Sequence, residues 1–180
     1  LSHDLLEGCY LRCGLISDVI LMDGYPTKYT SFMNRLSRWI RGDWQIINWL
    51  NYKSPLNLLS KYKIFDNLRR SLFEVSILIA LIYINIIGIN FKTSVLGINI
   101  VLILIEIIPH ILEFFNYLIA KREGEEKQKT FTPQISGLKG IFLRAIISLG
   151  CMPYKAYISL KAIGKTLYRV LITHKNLLEW

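Results

Sequence analysis

Residues 34–45 read NRLSRWIRGDWQ and lie within a helix that apolar spacing predicts over residues 31–50. Arg35 and Arg38 are three positions apart, so both side chains project from one side of that helix. Arginine offers a planar fork for phosphate oxygens, and the adjacent Trp39 offers a flat face on which a sugar ring can stack. The alternative interpretation is a basic helix at a membrane surface with tryptophan as its anchor.

A carboxylate precedes this helix in the chain. Residues 1–8 read LSHDLLEG, and helical apolar spacing continues from Asp4 to about Leu15. Asp4, beside His3 at the start of a helix, is placed to accept a proton from a hydroxyl group. The alternative is an aspartate that only balances the helix dipole. Residues 17–22 then predict a short strand before a turn, an order typical of the end of an α/β domain.

Two long apolar runs follow the helix. Val75–Phe91 carries no charge and approaches the roughly 20 residues needed to cross a bilayer. Val95–Ile119 contains a second span, predicted to end near Leu112. Because the link between the runs is short, they predict an antiparallel transmembrane hairpin. Glu106 and His110 interrupt the second run. They line a polysaccharide path, pair with a neighbouring helix, or lie near the membrane boundary.

Basic residues lie outside both ends of the hairpin, whereas the link between its helices carries only Lys92. The positive-inside rule therefore predicts that both ends, and with them the two motifs, lie in the cytoplasm. The flanking basic residues are Lys61, Lys63, Arg69, Arg70, Lys121, Arg122, Lys127 and Lys129.

The tail of the chain is basic and amphipathic. Helical spacing from Pro153 to Thr173 predicts a helix that lies in the plane of an anionic membrane surface. Its predicted apolar side comprises Leu160, Ile163, Leu167, Val170 and Leu171. The predicted fold class is a mainly α membrane fragment with four parts: an α/β domain end with its interfacial helix (1–63), the hairpin (64–120), a cytoplasmic charged loop (121–140) and the basic membrane-surface region (141–180).

Composition supports a membrane protein. Hydrophobic residues make up 52% of the 180 residues, yet the formal net charge is +9. The mean hydropathy is +0.35. A nucleic-acid binder would be basic too, but rarely contains apolar runs this long, so we expect no nucleic-acid partner. The three cysteines give no disulfide framework and are interpreted as reduced core thiols, since Cys9 and Cys13 alone make a poor metal site. Because the chain begins at Leu1 rather than methionine, we expect a fragment of a longer protein.

The order of acidic motif, R-x-x-R-W motif and membrane hairpin resembles the processive inverting glycosyltransferases of the cellulose-synthase type. Ser2-His3-Asp4 matches that family's acidic motif, and residues 35–39 match its Q/R-x-x-R-W motif. The strings LSHDLLEG, DGYPTKY and RWIRGDWQ are more similar to the glycosyltransferase region of cyclic β-1,2-glucan synthases. The tail strings PYKA (153–156) and LLEW (177–180) are similar to that group as well.

The resemblance implies roles for individual residues. Asp4 would be the catalytic base that deprotonates the acceptor hydroxyl. Arg38 would hold the donor diphosphate, Trp39 would stack on the acceptor sugar, and Arg35 stands where the family usually has glutamine. The implied donor is UDP-glucose and the implied acceptor a growing β-1,2-glucan, in the bacterial inner membrane as part of cell-envelope polysaccharide biosynthesis. The intact enzyme would also need a divalent cation, Mg²⁺ or Mn²⁺.

The family's metal-binding D-x-D motif is not present in these 180 residues. No metal ligand is therefore assigned to this chain, which would rely on the remaining domains of a parent chain and would be inactive alone. Two other functions stay open. One is a related synthase of another periplasmic glucan or polysaccharide, and the other is a non-catalytic subunit that anchors a partner through its basic helix.

Overall fold

The computed structural model describes residues 3–11, 18–19, 21, 24–91, 94–122 and 137–175. Throughout these ranges the chain is mainly helical and contains no strand. The helices are α1 (Asp4–Tyr10), α2 (Tyr29–Gln45), α3 (Leu58–Ser71), α4 (Phe73–Phe91), α5 (Leu96–Arg122) and α6 (Gly137–Tyr168). A 3₁₀ turn (Ile47–Leu50) follows α2, and a π-helical turn (Arg169–Thr173) follows α6.

The chain divides into two compact units. Leu1–Val75 and Lys155–Trp180 form the first, which we call the motif unit, and Ser76–Tyr154 forms the second, the hairpin unit. The end of α6 thus belongs to the same unit as α1, α2 and α3, although it is far from them in sequence. The four-part division expected from the sequence stays a prediction.

Two apolar clusters hold the motif unit together. One brings Trp44 of α2 and Leu68 of α3 against α6, and the other packs α1 on the 3₁₀ turn and α3. The Trp44 indole N–H donates a buried hydrogen bond to Ser71 Oγ at 2.9 Å, so the end of α3 is fixed against α2. The buried members are Ile40, Trp44, Leu68, Ala162 and Ile163 in the first cluster, and Leu6, Ile46, Leu56 and Ile64 in the second.

The face of α6 that packs within the motif unit differs from the predicted apolar side. Of the side that the sequence predicts to meet the membrane surface, Ile163 and Val170 are buried within the protein, whereas Leu160 and Leu171 are 48% and 60% exposed. The remaining buried positions are small residues, which let a neighbouring helix approach closely. They are Ala156, Ser159, Ala162 and Thr166.

α1 begins at Asp4, as the sequence predicts, but ends earlier than expected, whereas α2 begins at Tyr29, two residues before the predicted start. α1 ends at Tyr10 because Leu11 has an extended backbone, with φ −90° and ψ 137°. The region 31–50 is α2 followed by the tighter 3₁₀ turn rather than one helix. The expected strand over 17–22 lies partly outside the described residues, and its described positions 18, 19 and 21 are not in a strand.

Three helices are long and apolar enough to cross a membrane, judged by length and composition within the described ranges. Phe73–Asn90 and Leu96–Asn116 correspond to the two predicted spans. The third, Leu138–Thr173, covers the region for which the sequence predicts a surface helix. α6 continues through Pro153, which removes one backbone hydrogen bond without ending the helix.

Polar contacts join the helices of the hairpin unit. Asn85 of α4 and Asn99 of α5 exchange reciprocal amide hydrogen bonds of 3.1 and 3.2 Å. The Ser148 hydroxyl on α6 donates to Glu106 Oε1 at 2.9 Å. The second oxygen of this buried Glu106 carboxylate finds no partner among the described residues. Glu106 therefore packs against a neighbouring helix, one of the roles weighed from the sequence.

Candidate functional site

A cleft of about 920 Å³ lies within the motif unit. Its walls come from His3 and the start of α1, one face of α2, the end of α3, the start of α4 and part of α6. The volume is within the about 300–1,000 Å³ typical of ligand-binding clefts. The lining carries the cations Arg35, Arg38, Arg69, Arg70 and Lys155 and the carboxylates Asp4, Asp43 and Glu74.

All four residues that the resemblance singles out line this cleft. Asp4 is the first residue of α1 and its side chain is exposed. Arg35, Arg38 and Trp39 lie along one face of α2, because positions three and four apart are neighbours on a helix surface. A carboxylate, two guanidinium groups and an aromatic ring therefore face one space, although the chain separates the first from the others by some thirty residues.

Trp39 combines exposure with a fixed orientation. Its side chain is 52% exposed, and the guanidinium carbon of Arg35 lies 4.8 Å from the centroid of its ring. This cation–π contact orients the indole within the cleft. Arg41 behaves differently from Arg35 and Arg38, since it is only 6% exposed and does not line the cleft. Its position in the sequence could not separate it from the other two arginines.

A polar network fixes the segment that carries Asp4. His3 Nε2 lies 3.5 Å from Asp43 Oδ1, and the Asn67 amide donates to the same oxygen at 2.8 Å. Arg70 donates in turn to Asn67 Oδ1. The imidazole of His3 also lies over Gly42, where an added Cβ would be 3.2 Å from Cδ2 and 3.3 Å from Nε2 of the ring. The residue before α1 thus packs closely on α2.

Three further cations line the cleft that the sequence does not assign to a site. In the sequence, Arg69 and Arg70 are interpreted only as positive flanks of a membrane span, yet they line the cleft from the end of α3. Lys155 of α6 donates to Oε1 of the buried Glu74 at the start of α4. In the sequence, Lys155 is recognisable only as a basic residue shortly after Pro153. A basic residue there is also compatible with a helix on a membrane surface, so the sequence alone does not assign Lys155 to the cleft.

No group of three histidine, cysteine or acidic residues that could hold a metal ion occurs in the part of the chain that the structure describes. Of the cleft's carboxylates, Glu74 is paired with Lys155, and Asp43 contacts His3 and the Asn67 amide. These residues do not fit a divalent-cation site. Cys13 lies outside the described residues, so the interpretation of Cys13 as a reduced core thiol stays a prediction.

Comparison with known proteins identifies a relative. No protein-family model matches the chain. The cyclic beta-(1,2)-glucan synthase NdvB of Rhizobium meliloti (strain 1021) is 32% identical to it over 183 residues. The match covers 100% of this chain and 6% of that relative. The resemblance stated from the sequence is confirmed, and the chain corresponds to one short segment of that much longer protein.

Proposed function

We propose that this chain, related over its whole length to a segment of a cyclic β-(1,2)-glucan synthase, forms the acceptor side of the glucosyl-transfer site in a membrane-bound glucan synthase. The observation that carries the proposal is the cleft, in which Asp4, Arg38 and Trp39 face the same space. Residues 1–63 would be the end of a GT-A-like catalytic domain with its interfacial helix. The donor-binding part would come from other domains.

The proposed reaction is an inverting transfer from UDP-glucose. A hydroxyl oxygen of the glucan acceptor forms a bond to the anomeric carbon of glucose, while the bond from that carbon to the diphosphate oxygen breaks. The Asp4 carboxylate takes the hydroxyl proton, and UDP leaves with the bonding electron pair. A base behind the nucleophile and positive charge at the leaving group are what this displacement requires.

The other side chains have binding roles in this proposal. Arg38, assisted by Arg35, stabilises the negative charge that develops on the leaving diphosphate, because a guanidinium forms paired hydrogen bonds to phosphate oxygens. Trp39 stacks on the acceptor sugar with its exposed surface. The excess of cations over carboxylates along the cleft favours an anionic donor. No step assigned to these residues involves the divalent cation.

The proposed location is the bacterial inner membrane, with the motif unit on the cytoplasmic side where UDP-glucose is made available. Support comes from the three apolar helices and from the distribution of basic residues around the predicted hairpin. The acceptor is proposed to be a β-1,2-linked glucan because that linkage stands in the name of the relative.

Substitution of the proposed base tests this function. The intact parent protein, in membranes, is supplied with labelled UDP-glucose. The label incorporated into glucan is then compared for the wild type, Asp4→Asn and Asp18→Asn. Asp18 is a matched control, since it is exposed and does not line the cleft. We expect Asp4→Asn to lose activity by about 10²–10⁴-fold and Asp18→Asn to retain it.

Equal incorporation by wild type and Asp4→Asn, at equal protein levels, would exclude Asp4 as the base. Failure of the wild type with a range of sugar nucleotides and metals would instead favour the anchoring-subunit alternative. If glucan is made, analysis of its linkages separates a β-1,2-glucan from another periplasmic polysaccharide.

A further inference from the structure

We propose that His3, Gly42, Asp43 and Asn67 form a positioning network that sets the place of Asp4 in the cleft; the proposal rests on the proposed function of Asp4 as base. None of the four is assigned a part in proton transfer. Their role is to seat the residue before Asp4 on α2, so that the carboxylate faces the same space as Arg38.

The helix that carries Asp4 cannot hold this position by itself. α1 has only 7 residues, and isolated helices of this length are not stable in water. Tertiary contacts must therefore place it. Leu6 supplies an apolar contact, because it is 6% exposed and packs in the cluster with Ile46 and Ile64. His3 supplies the second contact, and Asp4 lies between these two attachment points.

The contact of His3 with α2 depends on a glycine, Gly42, which has no side chain. Gly42 is buried within α2, where glycine is otherwise unfavourable. A Cβ at this position would approach the imidazole to 3.2 Å, tighter than ordinary van der Waals contact, so the ring would have to move. Gly42 lies four residues after Arg38 and thus on the same face of α2. The surface of α2 on which His3 packs therefore lies beside Arg38, the residue proposed to bind the diphosphate.

Asp43 connects the contact between His3 and α2 to a third element, α3. Its Oδ1 atom is 3.5 Å from His3 Nε2 and accepts the Asn67 amide hydrogen bond at 2.8 Å. Because Asn67 is itself held by Arg70 of the same helix, α3 fixes the orientation of the Asp43 carboxylate. The network thus determines where the His3 ring lies, and through the peptide bond it determines where Asp4 begins α1.

A double-substitution cycle tests the positioning role. The variants are Gly42→Ala, His3→Ala and both together, made in the natural-length protein in membranes and assayed with labelled UDP-glucose. We expect Gly42→Ala to lower kcat about 3- to 10-fold with KM for UDP-glucose unchanged, because misplacing a catalytic group by a few tenths of an ångström slows the reaction, and Asp4 is not proposed to bind the donor. In the His3→Ala background the same glycine substitution should change kcat by less than about twofold, since the clashing ring is gone.

Two matched variants provide the controls. Gly164→Ala introduces a Cβ into α6, where nothing lies within 4 Å, and should leave kcat unchanged. Asn67→Ala removes the hydrogen bond to Asp43 without entering the His3 contact, and should lower kcat, whereas Asn34→Ala on the exposed side of α2 should not. The Asn67 comparison keeps the proposal testable if His3→Ala does not accumulate.

The possible outcomes separate the two proposals. The positioning network is overturned if Gly42→Ala or Asn67→Ala leaves kcat undiminished. It is also overturned if Gly42→Ala has the same effect with and without His3. In either case, an inactive Asp4→Asn variant leaves the proposed function standing. An active Asp4→Asn overturns the proposed function itself. A rise in KM with constant kcat would also contradict positioning, because it would indicate a contact with the donor.

Discussion

The pair between Lys155 and Glu74 predicts an asymmetric response to substitution. The Glu74 side chain is 8% exposed and the Lys155 side chain 36%. Replacing Lys155 by methionine leaves a buried carboxylate without its cation, whereas Glu74→Gln keeps an oxygen that accepts from the lysine. Full burial of both partners would make such a loss about 3–5 kcal/mol. Because water reaches Lys155, we expect about 1–3 kcal/mol for Lys155→Met and about 1 kcal/mol or less for Glu74→Gln.

Hydrogen exchange measures this loss where it occurs. The α6 segment within the motif unit is held to its neighbours by this pair and by the apolar cluster around Ile163. A local loss of about 1–3 kcal/mol corresponds to exchange of its backbone amides accelerated about 5- to 150-fold. Lys161→Met is the matched control, since Lys161 is exposed on the same helix. In the Lys161→Met variant, the backbone amides of α6 should exchange at the wild-type rate.

Two results would contradict a stabilising role for the pair of Lys155 and Glu74. Equal exchange in Lys155→Met and Lys161→Met would show that the pair does not hold α6. A Glu74→Gln variant as unstable as Lys155→Met would show that the lost contact, not the stranded charge, is what matters. The combined variant should be less destabilised than the two single effects together, because no buried charge remains without a partner.

Three further predictions concern packing and topology. Ser71→Ala leaves the buried Trp44 N–H without its acceptor, so we expect a loss of about 1–3 kcal/mol, seen as faster hydrogen exchange in α2 and contradicted by unchanged protection. Ser148→Ala removes the hydrogen bond to Glu106 and should cost only about 1 kcal/mol or less in detergent-titrated unfolding, as is usual between membrane helices; a loss of several kcal/mol would refute this. Ser94→Cys, between α4 and α5, should react with an impermeant thiol reagent added outside intact spheroplasts, and labelling only after lysis would invert the predicted topology.

The sequence predicted those features that depend on neighbouring residues. The two spans of the hairpin follow from uninterrupted apolar composition, and both match candidate spanning helices. The helix that carries Arg35 and Arg38 follows from apolar spacing in the same way. Such signals are local, because a helix satisfies its backbone hydrogen bonds within one segment. The strand expected at 17–22 needed a partner strand, and the described part of the chain contains none.

Features that depend on distant residues were not predicted. The packed face of α6 consists partly of small residues such as Ala156 and Ser159, which add little to an apolar pattern even when they are fully buried. The network of His3, Asp43 and Asn67 joins three elements, and none of the intervening sequence indicates that they meet. The charge of Lys155 was as compatible with a place on a membrane surface as with a place in the cleft. The chemistry and spacing of the motif residues left a purely structural interpretation open, and only the resemblance of their order to a known family favoured a catalytic role.

Photo-crosslinking tests most directly whether the cleft holds the acceptor glucan. A photoreactive phenylalanine analogue replaces Trp39 in the natural-length protein, and labelled glucan is formed from UDP-glucose before irradiation. Tyr62, an exposed aromatic residue of α3 outside the cleft, is the matched control position. We expect labelled glucan to be attached to the protein through position 39 and not through position 62. Attachment at both positions alike, or at neither while glucan is being made, would contradict this expectation.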